Sequence, residues 1–468
     1  MVTRQGFASV VDNAFAGLGF SAEAAKFSYP MKMFLPGADL SPIAENIDAA
    51  VEALTRWQPK NSRMTVVIPP KLSVAGRDYA DALEKLNYLF LKNLWSDGLP
   101  LLPPSEERVA ALLRGTDLAR ERLLGKLLPK GGHATVESVA VAAAMAGCRP
   151  EYLPVLIAAV EAILDPRVYH QHMQSTTGNA HPAVIVNGPI ARQIRVNSGY
   201  GCLGPSSVYP AGATIGRALR LLLMNVGGAI PGTGSMAIHG GPARYTGLVF
   251  AEDEAGLPAG WEPQNTERGF ARGTSTVTVL ATSGGTEIWE GAALEEKDAQ
   301  YTLFNFAGCM RVPFGGYFAD TFNPHGAPGV LLMARGTAQG FANLGWSKAK
   351  IRQYLWENSK LPRSEWLEKI LDHFGARHGL YVKDQVQYPM PVTPAPGNIM
   401  IVVAGGEQSG HSYWLQVHGG TGGPAAREIA LPNNWDALLE KAEEDLGPAP
   451  AQESKYAGPR IPPARHRQ

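Results

Sequence analysis

The strongly apolar runs of this chain are short, and each is cut off at or near a glycine or proline. AVIVNG (183–188), STVTVLAT (275–282) and NIMIVVAGG (398–406) are rich in β-branched residues and bounded by turns. Runs of that kind fit buried strands of a sheet covered on both faces. The two richest apolar stretches, Val139–Gly147 and Tyr152–Leu164, are too short to span a bilayer, and the second carries Glu161. The 52 glycines and 36 prolines punctuate apolar runs throughout instead of forming a low-complexity block. That spread predicts many tight turns and close backbone approaches, as in loop-built active sites, although glycine-rich loops also serve as plain connections.

Lys plus Arg equals Asp plus Glu at 42 each, so no net field draws in nucleic acid or an acidic membrane. Apolar residues at 45% and charged residues at 18% describe a globular chain, long enough at 468 residues for about two or three domains. The first twenty residues lack a basic start followed by an apolar block, and the cysteines number only three, widely spaced. The expectation is a cytoplasmic protein without a disulfide framework, a membrane anchor or a nucleic-acid partner.

Residues 1–60 read as a small α/β piece: FSYPMKMFLP is strand-like, and SPIAENIDAAVEALTRW is an amphipathic helix opened by Ser41, Pro42 and Glu45. Residues 61–446 read as the main domain. MTVVIPP is a short strand, DYADALEKLNYLFLKNLWSDG a long amphipathic helix, and Ser105 with Glu106 and Glu107 starts another. Two helices over 134–164 break at Gly147 and Pro150, ATIGRALRLLLMNVGG (213–228) is an apolar helix, and Ser347 caps GWSKAKIRQYLWEN. Residues 447–468 read as a flexible tail, and no internal repeat is visible. The fold class expected is α/β or α+β: a large glycine-rich mixed domain with a helical segment.

Four glycine-rich loops border these elements and carry His181, Cys202, His239 and His411. Loops at strand ends are where α/β folds hold ligands. The stretch NSGYGCLGPSS places Cys202 in an uncharged loop that runs into a helix start, an arrangement that lowers a thiol pKa; a turn-filling cysteine is the plainer alternative. Cys148 and Cys309 read as packed core. The catalytic candidates are therefore Cys202 as nucleophile or redox thiol, with His181 or His239 as base. The same loops and strand ends offer Thr176, Thr177, Asn187, Asn197 and Ser198 as substrate-binding residues, and Arg217 and Arg268 as anion holders. The arginines there, with Arg220, Arg244 and Arg272, would alternatively pair with Glu262, Glu267 or Asp253. His170, His172 and His181 form a conceivable metal set if a strand puts the first two on one face, but no HExxH or CxxC is present. No Walker loop, GxSxG or well-placed GxGxxG occurs, so no cofactor is expected.

The runs TVESVAVAAAMAGCRPEYLPVLIAAVEAIL, AVIVNGPIARQIRVNSGYGCLGP, ATIGRALRLLLMNVGG, WEPQNTERGF and IMIVVAGG resemble a poorly characterised bacterial family related to U-G-S-C-motif (seleno)proteins, over about Met64 to Ala430. In many relatives a Rossmann-like thiol module precedes this region, with U standing for selenocysteine or cysteine. GFASVVDNAFAGLGF through EALTRW resembles only the second half of that module, without its first strand and U-G-S-C loop. The resemblance implies a partial Rossmann-like half-module that docks a second protein subunit carrying the thiol motif, or else a homo-oligomer. Three functions follow. The first is an enzyme (large) subunit acting on a small polar, anionic organic substrate by thiol-dependent or general acid–base chemistry. The second is a metal-assisted hydrolase or lyase using His170, His172 and His181. The third is a noncatalytic scaffold subunit for a thiol-bearing partner.

Overall fold

A computed structural model describes residues 1–20, 26–34, 37–58, 71–241, 243, 247–291, 293–311, 328–365, 388–418 and 423–449. The expected MTVVIPP strand, Arg244 and residues 450–468 of the expected tail lie outside the described residues.

At the N-terminus, strands β1 (Val2–Arg4) and β2 (Phe27–Tyr29) pair in parallel, joined through the helix Ala8–Gly17. Among its described residues, the FSYPMKMFLP run is strand over Phe27–Tyr29. Pro30 has no N–H to offer a ladder, and Met31–Phe34 winds into a 3-10 turn. The next helix is split into Ser41–Ala44 and Ile47–Thr55. Asp39, not Ser41, supplies the side chain at its start, accepting from Ser41 N at 2.9 Å and Ser41 Oγ at 3.0 Å. Phe15, Phe20 and Trp57 meet edge to face at centroid distances of 5.9 to 6.4 Å and hold this unit together.

The helices Tyr79–Lys92 and Glu106–Leu113 start where capping chemistry places them: Asp78 accepts from Asp81 N at 2.9 Å, and Ser105 from Arg108 N at 3.3 Å. After a hairpin of β3 (Leu123–Leu127) and β4 (Gly132–Thr135), a reciprocal Thr135–Ser138 capping box opens the helix Val136–Ala146. Gly147 closes it in the left-handed conformation, φ 80°. This helix and the following Leu153–Ile163 are buried almost all round. The alanine-rich surface of the first lets the helix Ala211–Asn225 pack closely against it.

The main sheet contains β5 (His181–Asn187), β6 (Leu248–Ala251), β7 (Thr276–Trp289), β8 (Gly329–Met333), β9 (Met400–Val403), β10 (His411–Val417) and β11 (Ala425–Glu428). Its order is β6-β5-β7-β10-β8-β9, with β11 also paired to β7. The two outer pairs, β5/β6 and β8/β9, are parallel, and the three inner pairings are antiparallel. The pattern reads the same from either edge. Each half runs strand, helix, parallel neighbour, antiparallel return. The crossover is Ala211–Asn225 in the first half, and Arg335–Asn343 with Lys348–Asn358 in the second. The repeat is one of topology, invisible in the residues themselves.

Period-two alternation sorts the strand residues into three cores. Val184, Val186, Val249 and Val277 face the helices of the first half. Leu331, Met333, Ile401 and Val403 face the helix Glu296–Met310 and its neighbours in the second. The opposite face of all six path strands packs into a single cluster, including Ile185, Phe250, Leu280, Leu332, Val402 and Leu415. One face of six strands forms one core only when the sheet curls upon itself. Gly284 and Gly285 in β7, opposite Gln416 and Leu415 beside a register shift, supply the bend. Where the curl nearly closes, Asp253 N donates to Val403 O at 2.8 Å, joining the ends of the two edge strands.

Leu156 is fully buried in the helix layer against the first half of the sheet. Leu156→Ala is expected to lower unfolding stability by about 2–5 kcal/mol in denaturant titration, with the same secondary structure by circular dichroism.

Candidate functional site

The curl gathers the loops that follow β5, β6, β8 and β9 around one cavity of about 290 Å³. Its polar lining is Arg192, Ser198, Tyr200, Tyr209, Glu252, Asp253, Glu254, Arg335 and Glu407, with Gly188, Gly199, Gly405 and Gly406 forming backbone walls. Gly188 turns the chain out of β5 at φ 85°, and a Cβ there would meet Ser275 Cα at 2.5 Å. No other residue fits that turn, and it delivers Gly188 N to Glu254 Oε1 at 2.6 Å.

Asn187, the last residue of β5, ties two carboxylates together. Its Nδ2 donates to Glu252 Oε2 at 2.6 Å and to Glu254 Oε1 at 3.0 Å. Gln264 N adds a second donor to Glu252 Oε2 at 2.6 Å. Burial pushes the Glu252 carboxyl upward, opposed by the charge of Lys348, whose Nζ stands 3.5 Å from Glu252 Oε1 and donates to the Glu262 carbonyl at 2.7 Å. Arg335, leaving β8, donates through Nε and Nη2 to Asp253 Oδ2 at 2.9 and 2.7 Å, with Glu407 Oε1 at 3.9 Å from its Nη1. On the facing wall, Gly405 N donates to Ser198 O at 2.9 Å. Asn197 braces its own loop, donating to Tyr200 O and accepting from Gly199 N, both at 2.9 Å. Burial pushes the Tyr209 hydroxyl upward.

The residues singled out in the sequence separate along β5. Asn187, Asn197 and Ser198 belong to this end of the strand. His181, Thr176, Thr177 and His239 belong to the other, about 20 Å away at strand rise. His181 is buried with Nδ1 3.0 Å from Asn179 O, and with Gln174 and Arg220 it lines a narrow cleft of its own. Thr176 Oγ1 lies 3.4 Å from His418 Nε2. Thr177 and His239 are exposed, their loops joined by the bond from Ile238 N to Thr177 O.

Cys202 sits in the loop beside the cavity, its amide donating to Gly199 O. Its side chain, however, turns into the inner core of the curled sheet. Burial pushes the thiol up to about 12, the reverse of the lowered value that an open glycine loop leads one to expect, and His181 is at the far end of β5. Cys148 is likewise pushed up to about 12 by burial, and Cys309 is half-buried. His170 and His172 lie in the helix His170–Ser175 and not in a strand. Two residues apart on a helix is about 200° of rotation, so the rings diverge. His170 Nε2 accepts from Leu128 N at 3.1 Å, while His172 stacks on Tyr169 and tilts against His418. Among the described residues no three histidine, cysteine, aspartate or glutamate side chains are grouped to hold a metal ion.

Arg217 is a structural anchor: Nε and Nη2 grip Asp97 at 2.7 and 2.9 Å, and Nη2 reaches Pro100 O at 3.0 Å. Arg268 ends the short helix Gln264–Glu267 away from the cavity lining, and burial lowers it to about 10. Arg272 pairs with Glu262 and Arg352 with Glu267. Glu252, Glu254, Arg335, Glu407 and Arg192 carried no motif. The one local signal was the acidic run Glu252-Asp253-Glu254 immediately after a β-rich segment.

A further buried acid, Glu290, follows β7 and accepts from Thr337 Oγ1, two residues beyond Arg335. Burial raises it to about 7. No helix among the described residues is long and apolar enough to cross a membrane. Compared with family models, with curated proteins and with solved structures, the chain matches none.

Two outcomes follow from these environments. Cys202 and Cys148 are expected to remain unmodified by iodoacetamide at pH 8 in the folded protein and to react on denaturation, as read by peptide mass spectrometry. For Glu290, the raised folded-state pKa means the native protein holds a proton that the unfolded chain has released. Stability should therefore fall as pH rises from the ordinary glutamate value to about 7, and then level off. Glu290→Gln is expected to flatten that decline, recovering on the order of 2–3 kcal/mol at pH 8 in denaturant titrations across pH.

Proposed function

We propose that the chain is an enzyme subunit that acts on a small polar organic molecule in the cavity between the two halves of the curled sheet, by general acid–base chemistry of Glu252 and Glu254. The observation that carries this reading is the pair of carboxylates held by one fully buried amide, Asn187, at 2.6 and 3.0 Å. Two acids in unlike surroundings, one buried and pushed toward its protonated form, the other held by the Gly188 amide, are suited to giving and taking a proton on one substrate. Arg335, tied to Asp253, and the glycine walls set the shape around them. The acid–base alternative is favoured over the thiol alternative because the Cys202 thiol is buried and raised. It is favoured over the metal alternative because the helix turns His170 and His172 apart.

A second reading concerns assembly. We propose that residues 1–60, the region resembling a partial thiol module, dock a second protein subunit, as the resemblance to the U-G-S-C-related family implies. It is supported by an apolar groove of about 390 Å³ lined by Met1, Val2, Phe15, Phe27, Leu54 and Trp57, with Leu54 87% exposed.

Glu254→Gln is expected to fold normally and to lose turnover at least about 100-fold on a substrate found by screening small polar molecules against the whole chain. Unchanged kcat/KM in that variant would remove Glu254 from the mechanism.

A further inference from the structure

Lys348 stands where two costs meet. It is 4% exposed, and it opens the helix Lys348–Asn358 directly after the cap residue Ser347. Lysine is rarely buried so far unless it is paired, and the positive end of a helix dipole disfavours a cation at that position. The compensation comes from acids outside the helix. Lys348 Nζ lies 3.5 Å from Glu252 Oε1 and 3.8 Å from Glu267 Oε2, and donates to the Glu262 carbonyl at 2.7 Å. Glu267 is already taken by Arg352 of the same helix, through bonds at 2.9 and 2.6 Å. Glu252 has no such second cation: among the described residues, Lys348 is the one cation paired with it. The pair joins the two halves of the sheet, since Glu252 follows β6 and Lys348 belongs to the crossover between β8 and β9.

The Glu252 side chain is 0% exposed, so its charge depends on what stands behind the cavity wall. Its other oxygen, Oε2, is held by two neutral donors, Asn187 Nδ2 and Gln264 N. The remaining charged groups about it are Glu254, which shares Asn187, and two acids answered by arginines, Asp253 by Arg335 and Glu267 by Arg352. Burial favours the protonated carboxyl, and the Lys348 charge is the largest influence against it.

Resting on the functional reading above, we infer that Lys348 is a positioning residue for the acid–base pair: from behind the cavity wall its ammonium fixes Glu252 Oε1 and supplies the counter-charge without which this buried carboxyl could not give up its proton near neutral pH. The lysine touches no guest. It acts through Glu252, and it ties the charge of that carboxylate to the packing of one half of the sheet on the other.

The test is titration of the Glu252 carboxyl by ¹³C NMR on the full chain labelled at glutamate Cδ, its resonance identified by loss in Glu252→Gln. Lys348→Met keeps the length of the side chain and removes the charge. It is expected to raise the Glu252 midpoint by about 1–3 pH units, the effect that a neighbouring opposite charge has on a carboxyl, while Lys348→Arg keeps it within about half a unit. On the substrate found by screening, Lys348→Met should move the matching inflection of the kcat–pH profile by the same interval and leave KM within about twofold. A folded Lys348→Met with the Glu252 midpoint unmoved would overturn the inference, whatever the activity. A midpoint that moves while the kcat profile stays in place would leave Lys348 holding Glu252 and overturn the acid–base reading instead. If Lys348→Met does not fold, the unmutated chain decides. There the Lys348 ¹³Cε resonance, identified with Lys348→Arg, should inflect at the Glu252 midpoint, and a flat course through that midpoint would overturn the inference.

Discussion

Among the described residues, one face of six strands is covered mainly by itself, joined by the loop side chains of Cys202 and Ala404. Ile185 and Phe250 from the first half of the sheet, and Leu332, Val402 and Leu415 from the second, leave water only by meeting one another. That requirement curls the sheet and brings the C-terminal ends of β6 and β9 to the bond between Asp253 N and Val403 O. The seam is then locked electrostatically, because the Asp253 side chain takes two donors from Arg335 of the other half. Apolar burial drives the closure without regard to direction, and the aspartate gives it a register.

The cavity is a by-product of this closure. Loops from both halves arrive with spare main-chain polarity, and glycine allows them to approach: Gly188 against the 274–275 backbone, Gly405 against Ser198. Into this narrow space the chain places Glu252, Asp253 and Glu254 in sequence, each with a different partner set. Asp253 belongs to the seam. Glu252 is buried beneath it, and Glu254 is held by the turn out of β5. Neighbouring residues of one type thereby acquire different chemistry, which their spacing alone does not express.

Much of the local structure was legible from residue patterns. Asp78, Ser105, Ser347 and Gly147 mark helix ends as their side chains or conformational freedom require. The β-branched runs at 183–188, 275–282 and 398–406 fall in β5, β7 and β9. The site was legible only in part. Ser198 lines the cavity, and Asn187 and Asn197 lie behind it bonded to lining residues, because strand ends and glycine loops are local features. Arg217 was misleading, since Asp97, its partner, lies 120 residues away. The helix over His170–Ser175 separated two histidines that an extended reading had aligned.

By itself, the sequence determined the mixed α/β character, the buried helices and strands, and the glycine turns that make loop-built sites possible, because each depends on neighbours within a few residues. The tertiary structure alone decided that the two halves repeat one topology, that the sheet curls, that the Cys202 side chain faces the inner core, and that Glu252 and Glu254 share a cavity with Arg335. Those outcomes depend on which faces meet across long stretches of chain, and burial, charge pairing and pKa are properties of such meetings rather than of residues taken in order.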